Sequence, residues 1–300
     1  MTTSTPPLIM PSFTAAQIQA MCQLMQRCGQ TAQQMAAHEF QVYEKGKHDY
    51  VTDVDRALDQ QLTAGLTRLF PADPIISEEN PDSWSAFATP SDRQWFVDPL
   101  DGTDDFIHGR SHYAVMAGLL VRHQPVAGWI YAPAVNQLYY GGSEIGLFQA
   151  TGMASAEPLQ PVEPAHPSAN FCPILLGYRD QKRFGSAIAH LIPAAQFSST
   201  GSFGLKVLQV ICGQAGLYLY LNRRVKLWDT TAPVALAQAA GLVCCDLNGE
   251  PLRFMPDGID AQSLAHQQPI IIGWRSYVTA LLPCLQQAVL ECCPLPERQF

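Results

Sequence analysis

The sequence predicts a layered α/β fold, an α+β sandwich with an antiparallel sheet in its first half and a mixed α/β sheet in its second. The first observation behind this prediction is that strand-like apolar runs alternate with helical patterns along the whole chain. The second is a series of strand-like runs with short turns between them, which indicates an antiparallel meander. These runs are Ala114–Val121, Val126–Tyr131, Gln137–Tyr140 and Gly146–Ala150.

A proline-rich stretch without periodicity, residues 154–169, predicts a boundary between two halves of the chain. We expect a loose tail at residues 1–12, a first half at 13–155 and a second half at 170–300. The two halves are expected to form one functional unit.

The composition is that of a globular chain, with 300 residues, 47% of them apolar and 15% charged. A formal net charge of −8 argues against a basic surface that binds a nucleic-acid polymer. Nine cysteines without a CxxC pair are typical of reduced thiols and predict a cytoplasmic location. The first residues do not resemble a signal peptide, and no apolar run reaches the roughly 20 residues that span a bilayer, so we expect no membrane partner.

In the first half, helical spacing predicts a long amphipathic helix over Phe13–His38. A polar loop is predicted at Tyr43–Tyr50, and a second helix begins near Thr52. In the second half, strands are predicted at Phe171–Gly177, Leu217–Leu221, Leu242–Cys245 and Ile270–Gly273, and helices at about Phe184–Leu191, Leu205–Gly213, Trp228–Ala240 and Ser276–Leu290.

The stretch Trp95–Gly109 has the pattern most typical of catalytic chemistry. Its apolar start predicts a buried strand, after which Asp98 and Asp101 lie on either side of a turn marked by proline and glycine. Adjacent carboxylates repel each other unless a multivalent cation neutralises them. Thr103 can then cap a helix start, where free backbone N–H groups attract phosphate. These features together predict metal-assisted phosphoryl chemistry.

Other charged residues have a structural explanation as well as a functional one. Asp55 completes a T-x-x-D capping pattern, and Asp229 lies at another helix start, where an aspartate is ordinarily structural. Glu78 belongs to an acidic pair, Glu78-Glu79, that can simply be the polar end of a strand. The basic run Asn222-Arg223-Arg224-Val225-Lys226 is either a solvated hairpin turn or a receptor for a substrate anion.

Several common catalytic motifs are missing from the sequence. It has no P-loop, no GxSxG elbow and no GxGxxG fingerprint, which argues against nucleotide-driven kinases, serine hydrolases and dehydrogenases. It also lacks an HxxxH pair in a plainly helical segment, so Mg²⁺ with oxygen ligands is favoured over zinc.

At this point the motifs match a known family. The segment Asp98-Pro-Leu-Asp-Gly-Thr-Asp-Asp-Phe-Ile-His-Gly109 resembles the D-P-[IL]-D-G-T-x-x-F-x-x-G signature of the inositol monophosphatase superfamily. Further blocks follow the family's order, namely Asp49-x-Val-Thr-x-x-Asp55, Ile76-Ser-Glu-Glu79, Gly201-Ser202 and Trp228-Asp-Thr-Thr-Ala232. The resemblance extends from about residue 15 to 275. It implies a sandwich of sheets and helices and a phosphatase that depends on Mg²⁺, is commonly inhibited by Li⁺ and is often a homodimer.

The resemblance also implies roles for individual residues. Two or three Mg²⁺ ions are expected, with Mn²⁺ as a possible substitute. The metal ligands would be Glu78, Asp98, the carbonyl oxygen of Leu100, Asp101 and Asp229. Glu78 and Thr103 would orient the attacking water with support from Asp55, and the main-chain amides of Gly102 and Thr103 would hold the phosphate.

The substrate divides the resemblance into two branches. The ending Phe106-Ile-His-Gly109 is similar to inositol monophosphatases, whereas Pro74–Trp84 and Leu205-Lys206 are similar to bacterial 3′(2′),5′-bisphosphate nucleotidases. Inositol phosphatases commonly place a glutamate seven residues before the Trp-Asp aspartate, where this chain has Asn222. The expected substrate is a small phosphorylated polyol or nucleotide of the inositol monophosphate type. The alternative is a 3′(2′),5′-bisphosphate nucleotidase that releases AMP from adenosine 3′,5′-bisphosphate, and a further alternative is a catalytically silent metal-binding regulatory protein. The predicted substrate contacts are Gly201, Ser202, Asn222, Arg223, Arg224 and Lys226.

Overall fold

A computed structural model describes residues 13–46, 49–152 and 154–292, so the predicted tail at 1–12 lies outside the described residues. The first elements are α1 (Ala15–Ala36), β1 (Val42–Gly46), β2 (Asp49–Thr52), α2 (Asp53–Leu69), β3 (Ile75–Ser77), β4 (Arg93–Asp101), α3 (Thr103–Ile107), β5 (Ala114–Val121), β6 (Gln124–Ala132), β7 (Gln137–Gly142), β8 (Gly146–Thr151) and β9 (Glu157–Pro158). The remaining elements are β10 (Cys172–Leu176), α4 (Tyr178–Leu191), β11 (Ala195–Ser198), α5 (Phe203–Ile211), β12 (Leu217–Tyr220), α6 (Leu227–Ala239), β13 (Val243–Cys245), β14 (Ile270–Gly273) and α7 (Arg275–Cys292).

The predicted layered α/β fold is confirmed. A seven-stranded sheet has the order β3-β4-β5-β6-β7-β8-β9, and every pair from β4 onward is antiparallel, as the meander predicts. The first pair differs, because β3 runs parallel to β4. A five-stranded mixed sheet has the order β11-β10-β12-β14-β13.

Side chains alternate across both sheets and divide the apolar core into three parts. One face of the seven-stranded sheet packs on α1 and α2, and its other face packs on α5 and α6. The five-stranded sheet covers the far side of α5 and α6 and packs on α4 and α7 with its outer face. The layers are therefore helix, sheet, helix, sheet and helix. Since α5 and α6 lie between the two sheets, residues in their first turns can contact residues at the strand ends of the seven-stranded sheet.

Two glycines let α6 approach the seven-stranded sheet closely. A Cβ atom added to Gly118 on β5 or to Gly128 on β6 would collide with the backbone of Ala232 in α6. The close packing fixes where α6 lies on β5 and β6. It thereby fixes the position of Asp229, which lies in the first turn of that helix.

The predicted polar loop at Tyr43–Tyr50 is wrong, because β1 and β2 form an antiparallel hairpin with Val42 opposite Thr52. The residues of β1 are all exposed, so the strand carries no apolar alternation that the sequence could reveal. Helix α4 begins at Tyr178, several residues before the predicted Phe184. Its first turn is polar apart from the tyrosine, which hides the helical period.

The proline-rich stretch is extended and ordered by contacts. Its Glu157–Pro158 forms β9 against β8, and the Val162 N–H donates to the carbonyl oxygen of Ile211 in α5. The seven-stranded sheet uses residues up to 158, and the five-stranded sheet uses residues from 172 onward. The division into functional halves at this stretch stays a prediction.

Two further properties belong to the described part of the chain. Within it, no helix combines the length and apolar character needed to cross a membrane. The eight cysteines it contains are free thiols, and Cys293 lies outside it.

Candidate metal and phosphate site

The two aspartates of the central stretch lie at the end of β4, where the strand leaves its regular pairing. Asp98 and Asp101 are both buried, and the register with β5 shifts between them. Such an irregularity re-aims side chains that would otherwise alternate across the sheet. Asp98 Oδ1 also accepts the Leu100 N–H at 3.0 Å, which holds the turn closed. Both carboxylates can therefore lie on the same side of the sheet end.

A third carboxylate reaches the same place from α6. Asp229 is at the third position of that helix, and its Oδ2 accepts the Lys226 N–H at 2.7 Å. One carboxylate oxygen from each of Asp98, Asp101 and Asp229 lies within 4.8 Å of the others. The sequence predicted these three as metal ligands, and the structure brings them together.

The cluster is electrostatically unfavourable without a cation. Burial, followed by the charges of Glu78, Asp101 and Asp229, raises the pKa of Asp98 well above its ordinary value. Burial and the charges of Glu78 and Asp101 raise the pKa of Asp229 to about 8. Crowded carboxylate oxygens are the donors that Mg²⁺ prefers. The residues present therefore fit a magnesium site.

Asp101 is held by the start of α5, a contact that sequence reasoning missed. Its carboxylate accepts the Phe203 N–H at 3.1 Å, the Gly204 N–H at 2.8 Å and the hydroxyl of Ser202. Ser202 also caps the helix, since its hydroxyl oxygen accepts the Leu205 N–H at 3.0 Å. Ser202 is fully buried. Its hydroxyl is thus committed to Asp101 and to the helix cap, and is not exposed toward a substrate as the sequence predicted.

A buried lysine lies behind the carboxylates and was also missed as a site residue. Lys206 Nζ donates to the carbonyl oxygens of Thr200 and Gly201, each at 2.8 Å. Burial lowers the pKa of Lys206, whereas the nearby charge of Asp101 raises it. The sequence signal that could have identified Lys206 is its place as a charged residue within the apolar pattern of α5. This cation partly offsets the negative charge of the cluster.

Glu78 approaches the cluster from the end of β3. Its N–H donates to the Val97 carbonyl oxygen at 3.1 Å, which anchors it beside β4. Lys45 Nζ, from the β1–β2 hairpin, lies 3.5 Å from Glu78 Oε1 and 2.6 Å from Glu79 Oε1. Burial, and then the charge of Glu78, raises the pKa of Glu79 to about 7. A cavity of about 350 Å³ adjoins these groups, and its lining includes Lys226.

Thr103 and Asp55 are in contact as the resemblance implies. Thr103 Oγ1 lies 3.1 Å from Asp55 Oδ1 and 3.0 Å from the Leu100 carbonyl oxygen, and its hydroxyl can donate to one of them at a time. The other oxygen of Asp55 accepts the Thr52 N–H at 2.8 Å in the α2 capping box. The structural explanation of Asp55 is therefore confirmed, and its role in catalysis stays a prediction.

The turn before α3 requires a glycine. Gly102 has φ of +99°, and a Cβ atom there would lie 2.7 Å from the carbonyl oxygen of His112. Helix α3 has only five residues, so its macrodipole is small. Individual amide N–H groups of Gly102 and Thr103, and not the helix as a whole, would bind a phosphate.

The remaining predicted substrate contacts are spread around the site. Gly201 is exposed next to Asp105, and Asn222 is half-buried after β12. Arg223 and Arg224 are exposed, and Arg223 has φ of +56°. Lys226 is separated from them, since it lines the Glu78 cavity with its Nζ 5.1 Å from the Trp228 ring.

Comparisons with known proteins identify the family of the chain. A model of the inositol monophosphatase family matches residues 14–278. The 3′(2′),5′-bisphosphate nucleotidase CysQ of Escherichia coli O157:H7 is 32% identical over 244 residues, covering 78% of this chain and 92% of that protein. The inositol monophosphatase of Mesembryanthemum crystallinum is 29% identical over 220 residues, covering 70% of this chain and 77% of that protein.

Solved structures share the fold at lower identity. The extragenic suppressor protein suhB from Bartonella henselae superimposes with a TM-score of 0.73 at 23% identity, covering 91% of this chain and 99% of that one. An inositol monophosphatase/NADP phosphatase solved with Mg²⁺ and phosphate has a TM-score of 0.73 at 20% identity, covering 89% of this chain and 94% of that one. The chain therefore belongs to the inositol monophosphatase family and is a phosphoric monoester hydrolase.

Proposed function

We propose that this enzyme is a Mg²⁺-dependent phosphomonoesterase that hydrolyses a 3′(2′),5′-bisphosphate nucleotide, such as adenosine 3′,5′-bisphosphate, to a nucleoside monophosphate. The observation that carries the metal dependence is the convergence of three carboxylates, two of them buried and the third half-buried, within 4.8 Å of one another. Inositol 1-phosphate is the second candidate substrate, favoured by the Phe106-Ile-His-Gly109 ending.

The residues that would hold Mg²⁺ are Asp98, Asp101 and Asp229, with Glu78 and the Leu100 carbonyl oxygen at the edge of the cluster. Magnesium bound there would lower the pKa of a water molecule and act as a Lewis acid toward the phosphoryl oxygens. Support comes from the raised pKa values of Asp98 and Asp229, which a bound cation would reverse.

The chain's own groups complete the proposed chemistry. The Thr103 hydroxyl, with Asp55 as its acceptor, would orient the attacking water together with Glu78. The amide N–H groups of Gly102 and Thr103 would bind the phosphate and stabilise its equatorial oxygens as charge spreads.

The choice of a nucleotide rests on the relatives and on the charges around the site. The relative that is 32% identical carries the name of a bisphosphate nucleotidase. Asn222 stands where inositol phosphatases commonly have a glutamate, and Arg223 and Arg224 add exposed positive charge one and two residues later. A second phosphate on the substrate would be attracted by these guanidinium groups. The acid set is complete, which disfavours a catalytically silent regulatory protein.

A substrate comparison tests the proposal. Phosphate release is measured with inositol 1-phosphate, adenosine 3′,5′-bisphosphate, fructose 1,6-bisphosphate and histidinol phosphate, each with Mg²⁺ and with EDTA. We expect the highest kcat/KM for adenosine 3′,5′-bisphosphate and no release in EDTA. A higher value for inositol 1-phosphate would replace the nucleotide with the polyol, and release that persists in EDTA would contradict the metal dependence.

Four finer properties complete the proposal. We propose that Li⁺ inhibits the enzyme and that the site binds two or three Mg²⁺ ions, which Mn²⁺ can replace. We also propose that the enzyme is a homodimer and that it is located in the cytoplasm. Inhibition curves, metal titration by calorimetry, light scattering and cell fractionation would measure these properties in turn.

A further inference from the structure

The loop between β13 and β14 holds the segment that leads into α6. The Leu227 N–H donates to the Leu264 carbonyl oxygen at 3.0 Å. The His266 N–H donates to the Val225 carbonyl oxygen at 2.9 Å. These two hydrogen bonds form a short antiparallel pairing that is centred on Lys226. The main chain on both sides of Lys226 is therefore fixed by a loop that comes much later in the sequence.

The backbone of this loop is strained where it contacts α6. Leu264 has φ of +55°, in the left-handed region that residues other than glycine rarely adopt. The residue is buried, and its N–H donates to the Asp260 carbonyl oxygen at 2.9 Å. Such a conformation persists only where the surrounding structure holds it, and such residues concentrate at functional sites. The strained residue is the one whose carbonyl oxygen accepts the first N–H group of α6.

The side chain of His266 continues this contact into the helix. It is 1% exposed, and its ring packs edge-on against Phe254 with the ring centroids 5.0 Å apart. Its Nε2 lies 2.8 Å from the Oγ1 of Thr230, the residue after Asp229. Thr230 Oγ1 in turn lies 3.2 Å from the Lys226 carbonyl oxygen. The imidazole, the hydroxyl and this carbonyl group therefore form a chain of hydrogen bonds.

The surroundings of His266 determine which ring nitrogen carries the proton. Burial lowers the pKa of His266 to about 3, so the ring is neutral and has one N–H group. Its Nδ1 is buried and has no hydrogen-bond partner among the described residues. A proton on Nδ1 would leave a buried donor without an acceptor, whereas a proton on Nε2 is donated to Thr230 Oγ1. The Thr230 hydroxyl then donates to the Lys226 carbonyl oxygen.

Lys226 is the residue to which this chain of hydrogen bonds leads. Its carbonyl oxygen accepts from Thr230, and its N–H donates to Asp229 Oδ2 at 2.7 Å. The loop therefore fixes both peptide groups of Lys226, and one of them orients the Asp229 carboxylate in the cluster with Asp98 and Asp101. Groups that orient a ligating side chain strengthen its binding to the metal.

We propose that His266 is a positioning residue for the proposed metal ligand Asp229, on which it acts through Thr230 and the main chain of Lys226. The inference rests on the proposed function and goes beyond it, since His266 touches none of the three clustered carboxylates. A carboxylate that is already oriented loses less freedom when it binds a cation. Breaking the chain of hydrogen bonds therefore weakens Mg²⁺ binding, whereas turnover at saturating Mg²⁺ is kept because the ligand itself remains.

Glutamine and asparagine at position 266 distinguish the two ring nitrogens. The amide nitrogen of His266→Gln reaches the position of Nε2 and can donate to Thr230. The amide of His266→Asn reaches only the position of Nδ1, where the described residues offer no partner. Calorimetry gives the dissociation constant for Mg²⁺, and phosphate release gives kcat at saturating Mg²⁺. We expect the dissociation constant to rise about 10-fold in His266→Asn and at most about threefold in His266→Gln, with kcat within about twofold of wild type in both.

Two further variants separate positioning from packing. Thr230→Val keeps the volume of the side chain but removes the hydroxyl, so we expect the same loss of Mg²⁺ affinity as in His266→Asn. His123→Ala is the matched control, because the ring of His123 also packs edge-on against a phenylalanine, Phe87, at 5.7 Å. It lies in the turn between β5 and β6, at the opposite end of β5 from the residue paired with Asp101. We expect this control to lower Tm in EDTA without changing the affinity for Mg²⁺.

The possible results are distinct. Equal Mg²⁺ affinity in His266→Gln and His266→Asn, with a wild type that requires Mg²⁺, refutes the inference alone. A loss of affinity in His123→Ala as large as in His266→Asn also refutes it, because lost packing would then explain both. If neither His266 variant folds, Thr230→Val decides: wild-type affinity refutes the inference and a weaker affinity supports it. A wild type that binds no Mg²⁺, or that releases phosphate in EDTA, refutes the proposed function together with the inference.

Discussion

Replacing Ser202 with alanine removes both hydrogen bonds of its hydroxyl. In the wild type this group donates to the Asp101 carboxylate and accepts the Leu205 N–H at 3.0 Å. The change removes one hydrogen bond to a charged, buried group and one helix cap. We expect the first loss to weaken Mg²⁺ binding and the second to lower stability.

The magnitudes follow from the two contacts. A hydrogen bond to a charged group contributes about 1.5–3 kcal/mol, which corresponds to roughly a 10–100-fold loss of Mg²⁺ affinity if Asp101 is a ligand. Loss of the cap costs about 1 kcal/mol, or about 2–4 °C in Tm for a chain of this size. Asp101 keeps the Phe203 and Gly204 N–H groups, so a complete loss of binding is not expected.

The assay measures the Mg²⁺ concentration for half-maximal phosphate release, together with Tm in EDTA. Ser202→Gly retains most of the capping preference without the hydroxyl, so it should show the Mg²⁺ effect with a smaller loss of Tm. Ser199→Ala, an exposed serine in the same loop, is the matched control and should change neither value. The reasoning is refuted if Ser202→Ala and the wild type require the same Mg²⁺ concentration.

Three other predictions address the charges of the site. Asp98→Asn should lower turnover at least about 100-fold without lowering Tm in EDTA, because it removes a proposed metal ligand and relieves repulsion among the carboxylates. Near-wild-type turnover would contradict the assignment. The pKa of Asp229 is raised from 3.8 to about 8, so between these pH values the folded metal-free protein holds a proton that the unfolded chain releases. Tm in EDTA should therefore fall as the pH rises from 3.8 to about 8. The gain in Tm on adding Mg²⁺ should be larger at the higher pH, because the metal binds the deprotonated carboxylate. A Tm that rises over this range, or an equal slope in Asp229→Asn, would oppose this prediction. The double variant Arg223→Ala, Arg224→Ala should raise KM for adenosine 3′,5′-bisphosphate by about 10-fold, and should raise KM for inositol 1-phosphate by less. Equal increases in KM for the two substrates would remove the argument for a basic subsite.

The sequence alone determined the features that depend on near neighbours in the chain. The pair Asp98 and Asp101, the turn at Gly102 and the capping box at Asp55 are local patterns, because a few residues with fixed backbone preferences specify them. Helical and strand periods likewise predicted most elements and the layered fold. The β1–β2 hairpin was missed because its exposed strand has no buried face to impose a period.

Only the tertiary structure decided how the site is supported. Ser202 is 101 residues from the aspartate to which it donates, and His266 is 36 residues from the threonine hydroxyl that it contacts. Such contacts leave no periodic trace, because they depend on how α5, α6 and the β13–β14 loop pack around the sheets. The same packing turns Ser202 from a predicted substrate contact into a support for Asp101, and buries Lys206 behind the carboxylates. The motifs that predict the reaction are therefore local in the sequence. The contacts that balance the negative charge of the carboxylates form only when the layers pack together.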